Sequence, residues 1–314
     1  MTIPIVTFAA LLLYERGQLD LDEPIAKRLP EWRNVKVLEK MVDKKTGKNT
    51  FRLVPAKNPI TVRDLMRHSS GLYYAFVPKT PTFRLLKKAG VFEKGINLAE
   101  FSKRLAKAPL KFHPGTAYNY GYSIDILGRY VEVVSKQPLD VFLKKNVFEP
   151  LKMKDTDFWT RDKERIAVVY TKKEGKLTPA MSNAPLLKKP SWFSGGGGLV
   201  STSTDYWRFC QMVLDRGQLD GVRIAKAKTV ELMYQNQLGS VYPGGKRTYG
   251  LGGAIDGKGV YRWGGAAGTK FFVDTKNKLV VVYMVQRRGY TSFLWPQVQR
   301  LVLQAVEPEG QESK

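Results

Sequence analysis

Apolar positions recur at helical spacing through most of the chain. The segment 4–16 is almost wholly apolar and ends at Glu15, Arg16 and Gly17, which predicts a buried helix. It lacks the preceding basic segment and the following small-x-small site of a signal peptide, so we expect a core helix. Residues three and four apart are apolar in several further segments, which are therefore predicted to be helices: 59–68, 98–108, 123–134, 139–147, 204–214 and 226–237.

The pattern changes after residue 248. Short runs rich in β-branched and aromatic residues alternate with Gly, Asp and Asn turns at 249–255, 259–263, 269–273 and 279–285. A last helix is predicted over 291–306. The layout therefore predicts a long helical middle, an antiparallel meander and a terminal helix, while the polar stretch 40–58 predicts no regular element.

Length and charge narrow the class of protein. The 314 residues are 43% hydrophobic, enough for one compound domain or two lobes, and no stretch reaches the roughly 18 apolar residues of a membrane span. Lys and Arg number 52 against 28 Asp and Glu, a net charge of +24, which raises the prospect of a polyanion partner. The basic residues are scattered in pairs and accompany no nucleic-acid motif, so a solvated basic surface is the alternative.

The chain is poor in metal-ligating residues. Cys210 is the single cysteine, so neither an internal disulfide nor a multi-cysteine metal site can form within the chain. The two histidines, His68 and His113, are too few for a histidine-based centre. We therefore expect no metal and no cofactor, and a buried thiol at Cys210.

Three segments carry candidate chemistry. A Pro-Gly turn in 112–128 delivers Tyr118, Tyr120 and Tyr122 just ahead of a helix, where a phenol can project into a cleft or simply pack. The glycines of 261–269 permit close approach to a ligand, or form a plain Gly-rich hairpin. The glycines of 194–204 lack the Gly-Lys-Ser/Thr of a phosphate loop and predict a tight loop before a helix capped near Thr204 or Asp205.

The order of six segments resembles one superfamily. It is that of the serine β-lactamases and penicillin-binding proteins, in the branch of class C β-lactamases and family VIII carboxylesterases. The matching segments are 19–24, 60–72, 114–120, 148–153, 194–202 and 263–269. The resemblance implies an α/β (α+β) fold in which an antiparallel sheet is flanked by helices and carries an inserted helical lobe. On this basis we expect a sheet lobe, 1–20 with 248–314, whose first strands are missing, and a mainly helical lobe, 21–247.

The resemblance also assigns site residues. Such families attack acyl groups with the serine of a Ser-x-x-Lys motif, whose lysine accepts the serine proton. Tyr120 resembles their catalytic tyrosine, and the Ala266 N–H resembles an oxyanion donor. Trp263, Gly264 and Gly265 resemble the third motif, which binds substrate. The absence of a lysine from this motif favours esters over β-lactams, although ester, amide and lactam substrates all remain within the family's range.

The first motif departs from the family pattern. Met1, Thr2 and Ile3 align with the last three positions of Ser-x-x-Lys, so the serine falls before Met1 and the lysine position holds Ile3. No serine of the chain is followed by lysine at the third position. Two interpretations follow: a start at an internal methionine, with the serine upstream, or a catalytically inactive protein that keeps the cleft for an acylated, wall-derived or polyanionic ligand. An upstream serine alone would leave the proton acceptor missing.

Overall fold

The computed structural model describes residues 1–42, 47, 49–78, 80–180, 184–241, 248–289 and 294–306. Its helices are α1 (Thr2–Glu15), α2 (Val62–Met66), α3 (Pro81–Lys88), α4 (Leu98–Leu105), α5 (Ser123–Ser135), α6 (Leu139–Leu143), α7 (Ser203–Leu214), α8 (Ala227–Tyr234) and α9 (Leu294–Val306). Its strands are β1 (Lys36–Val42), β2 (Asn49–Pro55), β3 (Tyr170–Lys173), β4 (Lys176–Pro179), β5 (Gln218–Leu219), β6 (Val222–Arg223), β7 (Thr248–Tyr249), β8 (Ala254–Ile255), β9 (Tyr261–Gly264), β10 (Lys270–Asp274) and β11 (Leu279–Tyr283). No helix among these residues is both long and apolar enough to span a bilayer.

The first helix lies at the centre of the core. Every residue of α1 from Thr2 to Leu13 is buried, as expected of a helix that is apolar all round. It packs against α5, α6 and α8. Its buried Ile, Val, Leu and Phe side chains each contribute roughly 1.5–3 kcal/mol of burial free energy, so α1 anchors the helical part of the fold. The predicted core helix is confirmed.

The second matching segment, 60–72, begins with a well-capped helix. Thr61 accepts a hydrogen bond from the Asp64 backbone N–H at 3.1 Å, and the Asp64 carboxylate accepts one from the Thr61 N–H at 3.1 Å. This reciprocal capping box satisfies two donors that α2 itself leaves unpaired. It fixes the point at which the chain enters the segment 62–72.

Removal of this cap is expected to weaken the fold modestly. Thr61→Ala deletes the acceptor for the Asp64 N–H, and loss of such a cap costs about 1 kcal/mol of unfolding free energy. Urea unfolding measures the change. Thr61→Ser keeps the hydroxyl and should restore most of the loss; equal losses in both variants would contradict the cap as the cause.

The sheet is an antiparallel meander. Its strand order is β11-β10-β9-β8-β7, as the sequence pattern predicts. Alternate side chains of β10 face opposite ways: Phe271 contacts Tyr206 of α7, and Phe272 contacts Trp295 of α9. The sheet therefore lies between α7 and α9. The mixed α/β fold with an antiparallel sheet and flanking helices is confirmed.

Several boundaries differ from the prediction. The run 249–255 is not one strand, because the Gly250 N–H donates to the Gly253 carbonyl at 2.8 Å and turns the chain between β7 and β8. The cap of α7 is Thr202, whose hydroxyl accepts from the Asp205 N–H at 3.2 Å, and not Thr204 or Asp205. The polar stretch 40–58 forms part of a β-hairpin, β1–β2. Its side chains are mostly exposed, so no apolar pattern predicted it. Residues 291–293 of the predicted last helix lie outside the described residues.

Candidate functional site

A cleft of about 1010 Å³ opens at the N-terminal end of α1. Met1 and Thr2 line one side of it, and Gly265, Ala266 and Thr269 line another. The remaining wall is mixed. Its apolar side chains include Phe148, Met153, Trp159, Ile166, Val169, Leu186, Leu199 and Met284, and its charged ones include Lys144, Glu149, Asp155, Asp157, Arg161, Arg165 and Arg288. A concave site of this size, with both apolar and polar lining, suits a small molecule, and the first and third motifs meet in it.

The start of α1 is held firmly against this cleft. The Tyr206 hydroxyl donates to the Met1 carbonyl at 2.9 Å, and the Leu199 N–H donates to the Thr2 hydroxyl at 3.1 Å. A Cβ atom placed on Gly265 would lie 3.5 Å from the Met1 backbone nitrogen. The backbone just before residue 2 therefore lies directly beside the third motif. Ile3 is buried, with 1% of its surface exposed.

The third motif forms the turn between β9 and β10. Gly264 pairs with Lys270 across the sheet, and the Gly265 N–H donates to the Thr269 carbonyl at 2.9 Å. The Gly268 N–H donates to the Gly265 carbonyl at 3.0 Å, which closes a tight turn around Ala266. Ala266 is exposed and lines the cleft. A backbone N–H held by such a turn is the kind of group that stabilises a developing oxyanion.

Tyr120 lies beside the third motif but does not line this cleft. Its ring centroid is 5.6 Å from that of Trp263 and 5.2 Å from that of Tyr74. Burial, together with the Asp125 carboxylate and Tyr118, raises the pKa of the Tyr120 phenol to about 12. At neutral pH the phenol is protonated, so it can donate a hydrogen bond but cannot act as a base.

His68 is fully buried in an aromatic cluster next to Tyr120. Its ring centroid lies 4.9 Å from that of Tyr120, 6.0 Å from that of Tyr118 and 5.8 Å from that of Tyr249. Neither ring nitrogen has a hydrogen-bond partner among the described residues. Burial lowers the pKa of His68 to about 3, so the imidazole is neutral. In the sequence His68 stands out only as one of two histidines, too few for a metal centre, and its spacing gives no sign of this aromatic cluster.

Asp125 joins the tyrosine segment to the Gly-rich loop. Its carboxylate accepts hydrogen bonds from the Ser194 hydroxyl at 2.7 Å and from the Gly196 N–H at 3.2 Å. Burial raises the pKa of Asp125 to about 6, although these hydrogen bonds oppose the rise. Gly197 and Gly198 of the same loop line the cleft, so Asp125 holds one of its walls. The tight loop predicted before α7 is present, whereas the sequence analysis assigned Asp125 no role.

A close backbone contact positions Tyr120, and Gly121 makes it possible. A Cβ atom at Gly121 would lie 2.5 Å from the Tyr73 Cα and 2.6 Å from the Leu72 carbonyl oxygen. Gly121→Ala must therefore displace backbone, and we expect a loss of about 2–3 kcal/mol of unfolding free energy in urea. Gly197→Ala is the matched control, since nothing lies within 4 Å of its Cβ and a change within about 0.5 kcal/mol is expected. Equal effects would contradict the contact.

The fold and cleft are typical of a family of acyl hydrolases and acyltransferases with the β-lactamase fold. The beta-lactamase family model matches residues 1–302, and the chain belongs to this family. The resemblance inferred from the six ordered segments is therefore confirmed. The catalytic and binding roles of Tyr120, Ala266, Trp263, Gly264 and Gly265 stay predictions, as does the division into two lobes.

Three relatives illustrate the range of the family. An uncharacterized protein of Mycobacterium tuberculosis is 32% identical over 312 residues, covering 91% of this chain and 76% of its own. Esterase EstB of Burkholderia gladioli is 29% identical over 314 residues, covering 90% of this chain and 75% of its own. The structure of simvastatin synthase LovD from Aspergillus terreus superposes with a TM-score of 0.80 at 27% identity, covering 99% of this chain and 83% of its own.

Proposed function

We propose that this protein binds small-molecule acyl esters in the cleft at the start of α1, and that its acyl chemistry is slow because the lysine position of the first motif holds isoleucine, which accepts no proton. The observation that carries this proposal is the juxtaposition of Met1 and Thr2 with Gly265 and Ala266 around a cleft with a partly apolar lining. Esterase and acyltransferase relatives support an ester as the ligand. The cleft takes the acyl group, and the Ala266 N–H donates to its carbonyl oxygen.

The slow chemistry is inferred from the position that the lysine occupies in the family's first motif. Ile3 stands at the lysine position of the first motif and has no group that accepts a proton. Tyr120 stays protonated at neutral pH because its pKa is about 12. Asp125, with a pKa near 6, is already occupied by Ser194 and Gly196. Binding and oxyanion contacts alone leave a residual catalytic rate, well below that of a complete site.

A second candidate is a serine hydrolase that forms an acyl-enzyme. The closeness of the Met1 backbone nitrogen to Gly265 favours it, because a serine directly before Met1 would lie beside the Gly265–Ala266 turn. Both candidates use the same cleft and differ in whether a covalent intermediate forms. In the second, the serine oxygen bonds to the acyl carbon, the alcohol leaves with a proton, and water later releases the acid.

Blocking the cleft tests the ester-binding proposal. Gly197 is exposed on the cleft wall with nothing within 4 Å of its Cβ, so Gly197→Phe should fill the cleft without disturbing the fold. Gly257→Phe is the matched control, since Gly257 is exposed, equally unobstructed and outside the cleft. Saturation-transfer NMR with ethyl butyrate measures binding, and p-nitrophenyl butyrate measures turnover. Ester binding should be lost in Gly197→Phe and kept in Gly257→Phe.

The outcomes separate the candidates. Binding that survives Gly197→Phe, or no binding to the native protein, would overturn the ester-binding site. Labelling of the native gene product by a fluorophosphonate at a serine before Met1, with rapid turnover, would establish the acyl-enzyme and overturn slow chemistry. Ester binding without fluorophosphonate labelling supports the first candidate, an ester-binding protein with slow acyl chemistry.

A further inference from the structure

The hairpin β1–β2 exposes apolar side chains to solvent. Val42, Phe51 and Leu53 are 61%, 57% and 53% exposed. The strand register pairs Lys40 with Phe51 and Leu38 with Leu53, so these side chains share one face of the hairpin with Val42. We call this face, comprising Leu38, Lys40, Val42, Phe51 and Leu53, the hairpin surface. Large exposed apolar groups in such a cluster mark an interaction site.

Basic residues accompany the apolar ones. In the segment 36–57, seven basic residues stand against two acidic ones, a net charge of +5. The two strands contribute Lys36, Lys40 and Arg52, of which Arg52 pairs with Glu39 at 3.1 Å. Lys36 and Lys40 are exposed beside the apolar side chains. The mixture of aromatic, aliphatic and lysine side chains on one face is typical of surfaces that lie at a membrane interface.

The apolar surface continues beyond the hairpin. Phe51 and Tyr73 line the same groove of about 440 Å³, whose walls are mostly apolar. The chain that follows Tyr73 exposes Phe76 and Val77. Phe76 stacks on Tyr74 at 5.0 Å between ring centroids, which holds its ring in place although most of it faces solvent. The hairpin surface therefore borders an apolar groove that Lys40 and Lys111 also line, and Phe76 and Val77 are further exposed apolar side chains a few residues after Tyr73.

We propose that the hairpin surface docks on an anionic phospholipid membrane. Phe51, Leu53 and Val42 enter the boundary between head groups and acyl chains, while Lys36 and Lys40 bind lipid phosphates. The net charge of +24 favours an anionic surface and opposes pairing with a second copy of the same chain. Lysine side chains can bury their alkyl stems and still reach the phosphates. This docking goes beyond the proposed ester binding and does not depend on it.

Vesicle co-sedimentation tests the docking. We compare phosphatidylglycerol/phosphatidylcholine vesicles with pure phosphatidylcholine, using the native protein and Phe51→Ser/Leu53→Ser. The matched control is Leu177→Ser/Val222→Ser, which removes two equally accessible apolar side chains from other hairpins. We expect binding to the anionic vesicles, a drop of at least about tenfold in Phe51→Ser/Leu53→Ser, and no drop in the control. Lys36→Gln/Lys40→Gln should weaken binding and reduce its salt dependence.

Other results would overturn the proposal. Equal vesicle binding by native protein and Phe51→Ser/Leu53→Ser would exclude the hairpin surface. Heparin binding without vesicle binding would indicate a soluble polyanion, which the scattered basic pairs also permit. Self-association in analytical ultracentrifugation that Phe51→Ser/Leu53→Ser abolishes, without vesicle binding, would assign the surface to a second copy. Circular dichroism and thermal unfolding confirm that each variant is folded.

Discussion

Acidification from pH 7 to pH 4 is expected to lower the unfolding free energy of the native protein by about 3 kcal/mol more than that of a His68→Asn variant. Burial lowers the pKa of His68 to about 3, against an ordinary value of 6.5. Between these values the unfolded chain binds a proton that the folded protein excludes. Stability is therefore lost as the pH falls below about 6.5, and the loss levels off near pH 3.

Asparagine suits this position for a backbone reason. The φ angle of His68 is +57°, in the left-handed region that asparagine tolerates better than most residues. The variant removes the titrating imidazole without adding backbone strain. Its absolute stability is expected to fall, since contacts with the three tyrosine rings are lost, but the quantity tested is the difference in pH dependence.

Asp125 acts in the opposite direction. Burial raises its pKa to about 6, so between about pH 4 and 6 the folded protein binds a proton that the unfolded chain releases. Above pH 6 the buried Asp125 carboxylate is charged and destabilises the folded protein. Acidification from pH 7 to pH 4 protonates it and raises the free energy of unfolding by about 2 kcal/mol. In the native protein the effects of His68 and Asp125 on the pH dependence of stability partly cancel. An Asp125→Asn variant should therefore lose more stability on acidification than the native protein does.

Urea unfolding at pH 7, 6, 5 and 4 measures these differences. NMR of ¹⁵N-labelled histidine provides a direct check, because the chain has only two histidines. His113 is the internal control: its Nε2 lies 3.1 Å from the Glu39 carboxylate, outside the aromatic cluster. We expect the His68 signals to remain those of a neutral ring at pH 4.5. Titration of His68 near pH 6.5, or parallel stability curves for native and His68→Asn, would contradict its burial.

The apolar pattern predicted the parts of the fold that packing determines. The buried run of α1 and the strands β9 to β11 have periodicities that match their elements, and each was predicted within a few residues. The hairpin β1–β2 and helix α3 were missed because most of their side chains are exposed. Elements that bury few side chains show no clear apolar periodicity in the sequence.

Some parts of the candidate site could be predicted from the sequence and others could not. The ordered motifs indicated that the start of α1 and the turn at Gly265–Ala266 belong together, and the structure brings both to one cleft. Tyr120 contacts Trp263 but stands outside this cleft, a distinction that spacing along the chain cannot make. His68 and Asp125 were missed because their roles depend on burial and on partners distant in sequence.

A lysine at residue 3 is expected to restore proton transfer at the start of α1. Ile3→Lys places an amine in a buried position, and desolvation lowers the pKa of such an amine so that its neutral form can accept a proton. General base catalysis of this kind contributes roughly 10²- to 10⁴-fold to a rate. Burial of the amine should also reduce the free energy of unfolding, so urea unfolding is measured together with the rate of acyl transfer. Ile3→Met is the matched control, because it fills the space without a proton acceptor.

The most direct test places a serine immediately before Met1 and measures the rate of fluorophosphonate labelling with isoleucine, methionine or lysine at residue 3. If the start of α1 and the Gly265–Ala266 turn form an acyl-transfer site that, once the serine is added, still lacks the lysine of the first motif, the serine should be labelled slowly with isoleucine or methionine. With lysine, labelling should be about 10²- to 10⁴-fold faster. Equal rates in folded proteins with isoleucine and lysine at residue 3, or no labelling in any of them, would contradict this account.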